Sequence, residues 1–137
     1  MTVYVDDWRQ LHRVGHLNSR WSHLICGPFD DLAELHEFAA RIGLKRSWFQ
    51  DKPWPRAHYD VTESKRVEAV AAGATEITWR ETGRLVVRAV DARRRAMNSA
   101  CTRTIDGKPP GDDDWWAVAR ALYELACAEE APDASTS

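Results

Sequence analysis

The densest group of side chains that could do chemistry lies between His58 and Arg66. This segment contains an imidazole, a phenol, two carboxylates, two hydroxyls and two cations, and a run of helical character follows it. A helix N-terminus offers unpaired backbone N–H groups and the positive end of the helix dipole. Polar side chains there either bind a ligand or cap the helix, so the segment is both a candidate site and a candidate cap.

Further polar side chains lie at or near the ends of other predicted elements. Asp6 follows a short strand, His23 lies in a second strand, and His36 lies on the first helix. Ligands of open α/β sheets bind beyond the carboxyl ends of the strands, so we expect these groups to converge on one cleft. Carboxylates and neutral imidazoles suit a divalent ion such as Mn²⁺, Zn²⁺ or Mg²⁺. The candidate metal ligands are Asp6, His23, His36, His58 and Asp60.

Cations near these residues suggest a phosphate-containing substrate. Lys65 and Arg66 fall in the first turn of a predicted helix, where they would face the anionic part of a substrate. The candidate anion-binding residues are Arg41, Lys65 and Arg66. The sequence contains no P-loop, GxGxxG, GxSxG, HExxH or EF-hand motif, so no common nucleotide, hydrolase or calcium motif supports the prediction.

Each candidate also has a structural interpretation. Asp31 and Asp60 are most simply helix caps. His36 flanks an apolar stripe, where a half-buried structural histidine is at least as common as a ligand. His23 alternates with apolar neighbours, so it points away from the face that Leu24 buries, and the two interpretations are evenly balanced there.

The elements that must position these residues can be read from hydrophobic periodicity and from Gly and Pro positions. The predicted strands are Val3 to Val5, Trp21 to Cys26 and Glu76 to Trp79. The predicted helices run from Asp31 to Ile42, from Asp60 or Thr62 to Gly73, from Glu81 to Met97 and from Trp115 to Ala128. This order predicts an α/β or α+β fold with a small three-stranded sheet, helices packed on it and two additional C-terminal helices. Crossovers through helices favour parallel neighbours.

Length and composition indicate one domain. The 137 residues can bury a sizeable core, and we expect residues 1–130 to form a single compact domain and residues 131–137 to be a disordered tail. The first residues show neither a basic n-region nor a long apolar stretch, and the three cysteines are widely spaced without a CxxC pair. A cytoplasmic protein with reduced thiols is therefore expected, with no membrane association.

A binding module is the main alternative to an enzyme. Residues 80–103 carry seven arginines against two acids, and residues 112–133 carry seven acids against one arginine. The arginines between residues 84 and 95 could bind nucleic acid, although the two blocks could also neutralise each other within the fold. The seven tryptophans could form a protein-binding surface, and the C-terminal helices could mediate self-association or bind a protein partner.

Several separated motifs, in order, resemble the domain of unknown function 4031 (DUF4031) family over roughly residues 2–79. They are Val3-Tyr4-Val5-Asp6-Asp7, Trp21-Ser22-His23-Leu24, Glu34-Leu35-His36, Ala39-Ala40-Arg41-Ile42-Gly43, His58-Tyr59-Asp60, Ser64-Lys65-Arg66 and Ala69-Val70-Ala71-Ala72-Gly73-Ala74. The family has no assigned activity. The resemblance implies a compact, unexported protein with a family-like core at residues 2–79 and a helical extension at residues 80–130. It also implies that the five candidate ligands occupy the polar positions of the family pattern.

The residues together lead to one functional hypothesis and two alternatives. The leading hypothesis is a small metal-dependent enzyme acting on a phosphate-containing substrate such as a nucleotide or nucleic acid. The first alternative is a non-catalytic nucleic-acid- or protein-binding module. The second is a structural domain whose histidines are only hydrogen-bonded.

Overall fold

The computed structural model describes residues 2–102 and 112–129, in two compact units, Met1–Gly83 and Arg84–Ser137. The first unit is a six-stranded sheet with two helices on one face, and the second is helical. The predicted mixture of helices and strands is confirmed. The predicted tail, residues 131–137, lies outside the described residues.

The first unit contains all of the strands of the described chain. In order they are β1 Val3–Val5, β2 Gln10–Val14, β3 Leu17–Cys26, β4 Phe49–Gln50, β5 His58–Thr62 and β6 Thr75–Glu76. The helices of the described chain are α1 Leu32–Arg41, α2 Glu63–Ala71, α3 Trp79–Thr102 and α4 Asp112–Glu129, and a 3-10 turn covers Arg46–Trp48.

The sheet has the order β4-β5-β3-β1-β6, and β2 pairs with the N-terminal half of β3. Among the strands of the described residues, only β1 and β6 pair in parallel, and the other pairs are antiparallel. The prediction of three strands was therefore wrong in number, and parallel pairing holds for one pair alone. A hairpin joins β2 to β3, and this short helix-free connection imposes antiparallel pairing there.

Two local predictions were wrong for identifiable reasons. β2 was absent from the predicted strands because all of its residues are exposed, so the strand carries no alternation of polar and apolar residues. Trp79 begins a helix instead of ending a strand. Glu81 N donates to Thr78 Oγ1 (3.1 Å) and Thr78 N donates to Glu81 Oε2 (2.8 Å), which is a capping box.

The predicted first helix is confirmed at both ends. Asp31 Oδ1 accepts a hydrogen bond from Ala33 N at 2.9 Å, which caps the helix N-terminus. At the C-terminus, Gly43 has a φ of +83°, a left-handed conformation that glycine adopts without strain. Leu44 N then donates to Ala39 O at 2.9 Å, which closes the helix in the Schellman manner.

The core lies between one face of the sheet and the first two helices. Val5, Leu24 and Tyr59 project from the sheet into this core and are at most 1% exposed. Leu35 of α1 and Ala69 of α2 are fully buried against them. Because side chains alternate along a strand, the residues between these core positions project from the opposite face. That opposite face carries the candidate site.

In the described residues, the second unit consists of α3 from Arg84 onward and of the whole of α4. Arginines on α3 such as Arg84, Arg94 and Arg95 are exposed, and Arg94 pairs with Asp91 at 2.7 Å. Nucleic-acid binding and self-association through these helices stay predictions. None of the helices in the described ranges is both long enough and apolar enough to cross a bilayer.

Candidate metal centre

Two neighbouring antiparallel strands bring His23, His58 and Asp60 together. His23 of β3 is the direct cross-strand partner of Asp60 of β5. His58 precedes Asp60 by two residues, so both project from the same face of β5, while Tyr59 between them enters the core. Residues far apart in the sequence therefore meet because of the strand register.

The three side chains are close enough to share one ion. One ligand atom from each lies within 4.8 Å of the others, and among the side chains that the structure describes this is the only such group of three. His58 Nε2 lies 3.2 Å from Asp60 Oδ1, and the two imidazole centroids are 5.0 Å apart in an edge-on arrangement. Two atoms that bind one ion at about 2.0–2.2 Å in tetrahedral geometry are roughly 3.3–3.6 Å apart. The His58–Asp60 pair is already near that spacing.

The His23 imidazole is oriented by Asp6. Asp6 Oδ2 lies 2.7 Å from His23 Nδ1. A carboxylate can only accept, so His23 Nδ1 carries a proton and donates it, and in the neutral imidazole Nε2 then has the lone pair that a metal ion needs. Asp6 therefore acts on the site through His23 and is not placed as a ligand.

Asp6 is itself held in its charged form. It is 1% exposed, and Oδ1 accepts hydrogen bonds from Trp8 N (3.1 Å) and His23 N (2.9 Å). Burial alone would raise the pKa of Asp6, but the side-chain and backbone hydrogen bonds from His23 and the bond from Trp8 outweigh it and lower the pKa. Thr82 Oγ1 lies 3.4 Å from Oδ2 and adds a further donor.

The His58 imidazole is oriented in the same way by the backbone. His58 Nδ1 lies 2.7 Å from Arg56 O, and a carbonyl can only accept, so Nδ1 carries a proton here too. The Nε2 atom is then directed at Asp60. Burial lowers the pKa of His58, but the hydrogen bonds with Asp60 and with Arg56 O outweigh burial, so the pKa is raised.

Asp60 shows the complementary shift. Burial raises its pKa, but the hydrogen bond and charge of His58, together with the charge of His23, bring the pKa below its usual value. A neutral His58 with a proton on Nδ1 would point its Nε2 lone pair at the Asp60 carboxylate, which is repulsive. The arrangement therefore requires a positive charge between these two atoms, from a proton on Nε2 or from a metal ion.

Trp8 covers one side of the cluster. Its ring stacks on the His23 imidazole, with the centroids 4.9 Å apart and an angle of 29° between the planes. The next residue, Arg9, adopts a left-handed φ of 46°, which is uncommon for a residue other than glycine. Arg9 N donates to Ser22 Oγ at 3.3 Å and Arg9 Nε lies 3.4 Å from Glu63 Oε1, so both ends of the residue are held.

The other candidate residues lie elsewhere or have other partners. His36 is on the helical face of the sheet, where its Nδ1 lies 2.8 Å from Tyr59 Oη. The Arg41 guanidinium lies over the Phe38 ring at 5.2 Å. Lys65 Nζ donates to Ile42 O at 2.6 Å and pairs with Glu68 at 2.8 Å.

Arg66 stabilises the site through the backbone of Asp6. It is 6% exposed, its Nε donates to Asp6 O at 2.9 Å, and its Nη1 pairs with Glu76 at 3.1 Å. These contacts hold the end of β1, and with it Asp6, against α2 and β6. The Arg66 guanidinium is thus a positioning group for Asp6.

Sequence reasoning missed three contributors, namely the Trp8 ring, the Arg56 carbonyl and the Thr82 hydroxyl. The last lies one helical turn after the Thr78-x-x-Glu81 capping box, which was the available signal for a helix start beside Asp6. Asp60 is not a helix cap. Thr62 caps α2 instead, because its Oγ1 accepts from Lys65 N at 3.3 Å.

Comparison with known proteins gives a family and no activity. The model of a family described as protein of unknown function (DUF4031) matches residues 3–89. This range contains every side chain of the cluster and the residues that orient it. No curated protein and no solved structure matches the chain.

Proposed function

The chain belongs to the DUF4031 family of proteins of unknown function, and we propose that it is a divalent-metal-dependent enzyme that hydrolyses a phosphate-containing substrate. His23, His58 and Asp60 would bind the ion, and Asp6 and the Arg56 carbonyl would orient the two imidazoles. All five of these residues lie within residues 3–89, the range that the family model matches.

The orientation of both imidazoles is the observation that carries the proposal. Each Nδ1 lies 2.7 Å from an oxygen that can only accept, Asp6 Oδ2 for His23 and Arg56 O for His58. Metal-binding histidines characteristically donate their second N–H to a carboxylate or a backbone carbonyl, which fixes the ring and raises its basicity. One such contact is common in any fold. Two of them, on imidazoles that each have a ligand atom within 4.8 Å of the same carboxylate, favour a metal site.

The ligand types favour particular ions. Two imidazoles and one carboxylate suit Zn²⁺ or Mn²⁺ better than Mg²⁺, which takes oxygen ligands and keeps several waters. Catalytic zinc sites have three protein ligands and an open position for water, which is the number of ligands in this cluster. His23 is 27% exposed and Asp60 is 36% exposed, so water can reach that position.

An ion at this position would supply the nucleophile. It would lower the pKa of a bound water to about 7 and so provide hydroxide at neutral pH. In the reaction, the water oxygen bonds to phosphorus, the bond from phosphorus to the leaving oxygen breaks, and the leaving oxygen takes up the proton that the water gave up.

A cation beside the cluster supports a phosphate substrate. Lys52 lies two residues after Gln50, the cross-strand partner of His58, and its positive charge opposes the protonation of the His58 imidazole. Lys52 is exposed and could contact a phosphate oxygen. Lys52 takes this role in place of Lys65 and Arg66, whose charged groups bond to other parts of the fold.

The proposal is tested by hydrolysis assays on chelator-treated protein. Phosphate release from p-nitrophenyl phosphate and from a panel of nucleotides is measured with Zn²⁺, Mn²⁺ or Mg²⁺ added. We expect activity with Zn²⁺ or Mn²⁺, its loss in His58→Ala, and its retention in His36→Gln, which leaves the cluster intact. Activity that survives both chelation and His58→Ala would refute the proposal, as would no release with any ion.

A further inference from the structure

We propose that the groove beside Asp60 binds the base of a nucleoside phosphate, so that its phosphate lies at the metal centre. This inference rests on the proposed function for the reaction, but binding of the base in the groove can be tested separately. It specifies the substrate class as an aromatic heterocycle joined to a phosphate.

The groove and the metal cluster have one residue in common, Asp60. A cavity of about 610 Å³ lies between the β2–β3 hairpin, the turn around Trp48, and the junction of β5 with α2, and Asp60 forms part of its lining. Pockets for small ligands and cofactors are typically about 300–1,000 Å³. A ligand in this groove can therefore reach the ion that Asp60 would bind.

The spacing along the sheet suits a nucleotide. Trp21, which lines the groove, is the cross-strand partner of Thr62, and the next outward-facing pair along the strands is His23 and Asp60. Two residues along a strand correspond to roughly 7 Å. This is comparable with the separation between the base and the 5′-phosphate of a mononucleotide.

Two tryptophans supply ring surface in the groove. Trp21 is fixed because its Nε1 donates to His12 O at 2.8 Å. Trp48 is 48% exposed, and Lys45 Nζ lies 5.5 Å from its ring centroid. Any of the nucleobases can stack on an aromatic side chain, because every base has a π-face. Leu17 and Val14 complete an apolar surface and are also strongly exposed.

Polar groups at the groove match the edge of a heterocycle better than a phosphate. The Asn18 and Gln50 side chains each provide both donors and an acceptor, which suits the edge of a base. Lys65 is the only cation among the described residues that line the groove, and its Nζ is already bonded to Ile42 O and Glu68. A neutral ring therefore fits the groove, and the phosphate fits the end at Asp60, where the ion would bind.

Calorimetric titration of the full chain tests this orientation. The ligands are the four ribonucleosides, their 5′-monophosphates and ribose 5-phosphate, each measured with Mn²⁺ and again with chelator. We expect at least one nucleoside monophosphate to bind roughly tenfold or more tightly than ribose 5-phosphate, since base stacking contributes most of that difference. This comparison uses the unmodified protein, so it does not depend on how any variant folds.

Substitution then locates the base. Trp48→Ala should weaken monophosphate binding by roughly tenfold and leave ribose 5-phosphate unchanged. The control is Trp79→Ala, since Trp79 is similarly exposed (52%) but does not line the groove, and it should bind as the wild type does. Equal binding of ribose 5-phosphate and all four monophosphates, or an unchanged affinity in Trp48→Ala, would overturn the proposal.

The two proposals fail in different ways. Nucleoside binding in the presence of chelator that Trp48→Ala weakens would support the groove even if no metal-dependent hydrolysis were found. Metal-dependent release of phosphate from p-nitrophenyl phosphate with no preference for base-containing ligands would overturn the groove proposal and leave the proposed reaction standing.

Discussion

Asp6 Oδ2 lies 2.7 Å from His23 Nδ1, although 17 residues separate the two in the chain. The carboxylate is buried and accepts two backbone N–H groups through its other oxygen, and Arg66 Nε donates to the backbone carbonyl of the same residue. This pair determines which nitrogen of His23 faces the cluster. The arrangement makes Asp6 the residue through which the fold controls the metal site.

The first prediction concerns Asp6→Asn. The Asn oxygen can keep the two backbone hydrogen bonds, which turns its NH₂ group toward His23 and transfers the imidazole proton to Nε2. Metal affinity should fall by about 10–100-fold, as it does when outer-shell partners of ligating histidines are changed. The control is Asp7→Asn, since Asp7 accepts from Trp79 N at 2.7 Å and does not touch the cluster. Titration calorimetry with Zn²⁺ measures both, and equal affinities would contradict the assigned role.

The second prediction concerns stabilisation by metal. A ligand at a hundredfold excess over its dissociation constant stabilises the native state by about 2.7 kcal/mol, which corresponds to a rise of roughly 9 °C in Tm for a chain of this size. Thermal denaturation with and without Zn²⁺ should show this rise in the wild type and in His36→Gln. His58→Ala should lose it. A rise of the same size in His58→Ala would place the ion elsewhere.

The third prediction concerns pH and His36, which lies outside the cluster. Burial, followed by the charge of Arg46, lowers the pKa of His36 below its usual 6.5. The unfolded chain therefore binds a proton more readily than the native state, so the stabilising contribution is present above about pH 6.5 and is lost as pH falls through the lowered pKa.

The matched variant is His36→Gln, which can keep a hydrogen bond to Tyr59 Oη but does not titrate. Between pH 7.5 and pH 5, the Tm of the wild type should fall more than that of His36→Gln, and the other histidines cancel in this difference. If the two curves stay parallel, His36 titrates normally and the proposed effect of its surroundings is wrong.

Local signals predicted α1 well. Asp31 at its start, Gly43 at its end and the apolar stripe between them are all adjacent in the sequence, and each acts through hydrogen bonds within a few residues. β5 was missed because its local pattern was misinterpreted. His58 to Thr62 alternates with buried Tyr59 and Val61, but its polar density resembled a helix cap.

The site depends on a pairing of strands that no local sequence pattern predicts. Sequence reasoning selected His23, His58 and Asp60 by residue type, but the antiparallel register that places His23 opposite Asp60 is set by contacts more than 30 residues apart in the chain. His36 had the right chemistry and the wrong face. It lies on α1, which packs on the side of the sheet that Tyr59 faces, while His58 and Asp60 project from the other side.

Crystallography can locate an ion bound to His23, His58 and Asp60. Crystals of the full chain soaked with Zn²⁺ give an anomalous difference map collected at the zinc absorption edge. The proposed metal site requires one strong peak about 2.0–2.2 Å from His23 Nε2, from His58 Nε2 and from a carboxylate oxygen of Asp60. A map with no peak among these three side chains, or with the ion bound through Nδ1 of either histidine, would contradict it.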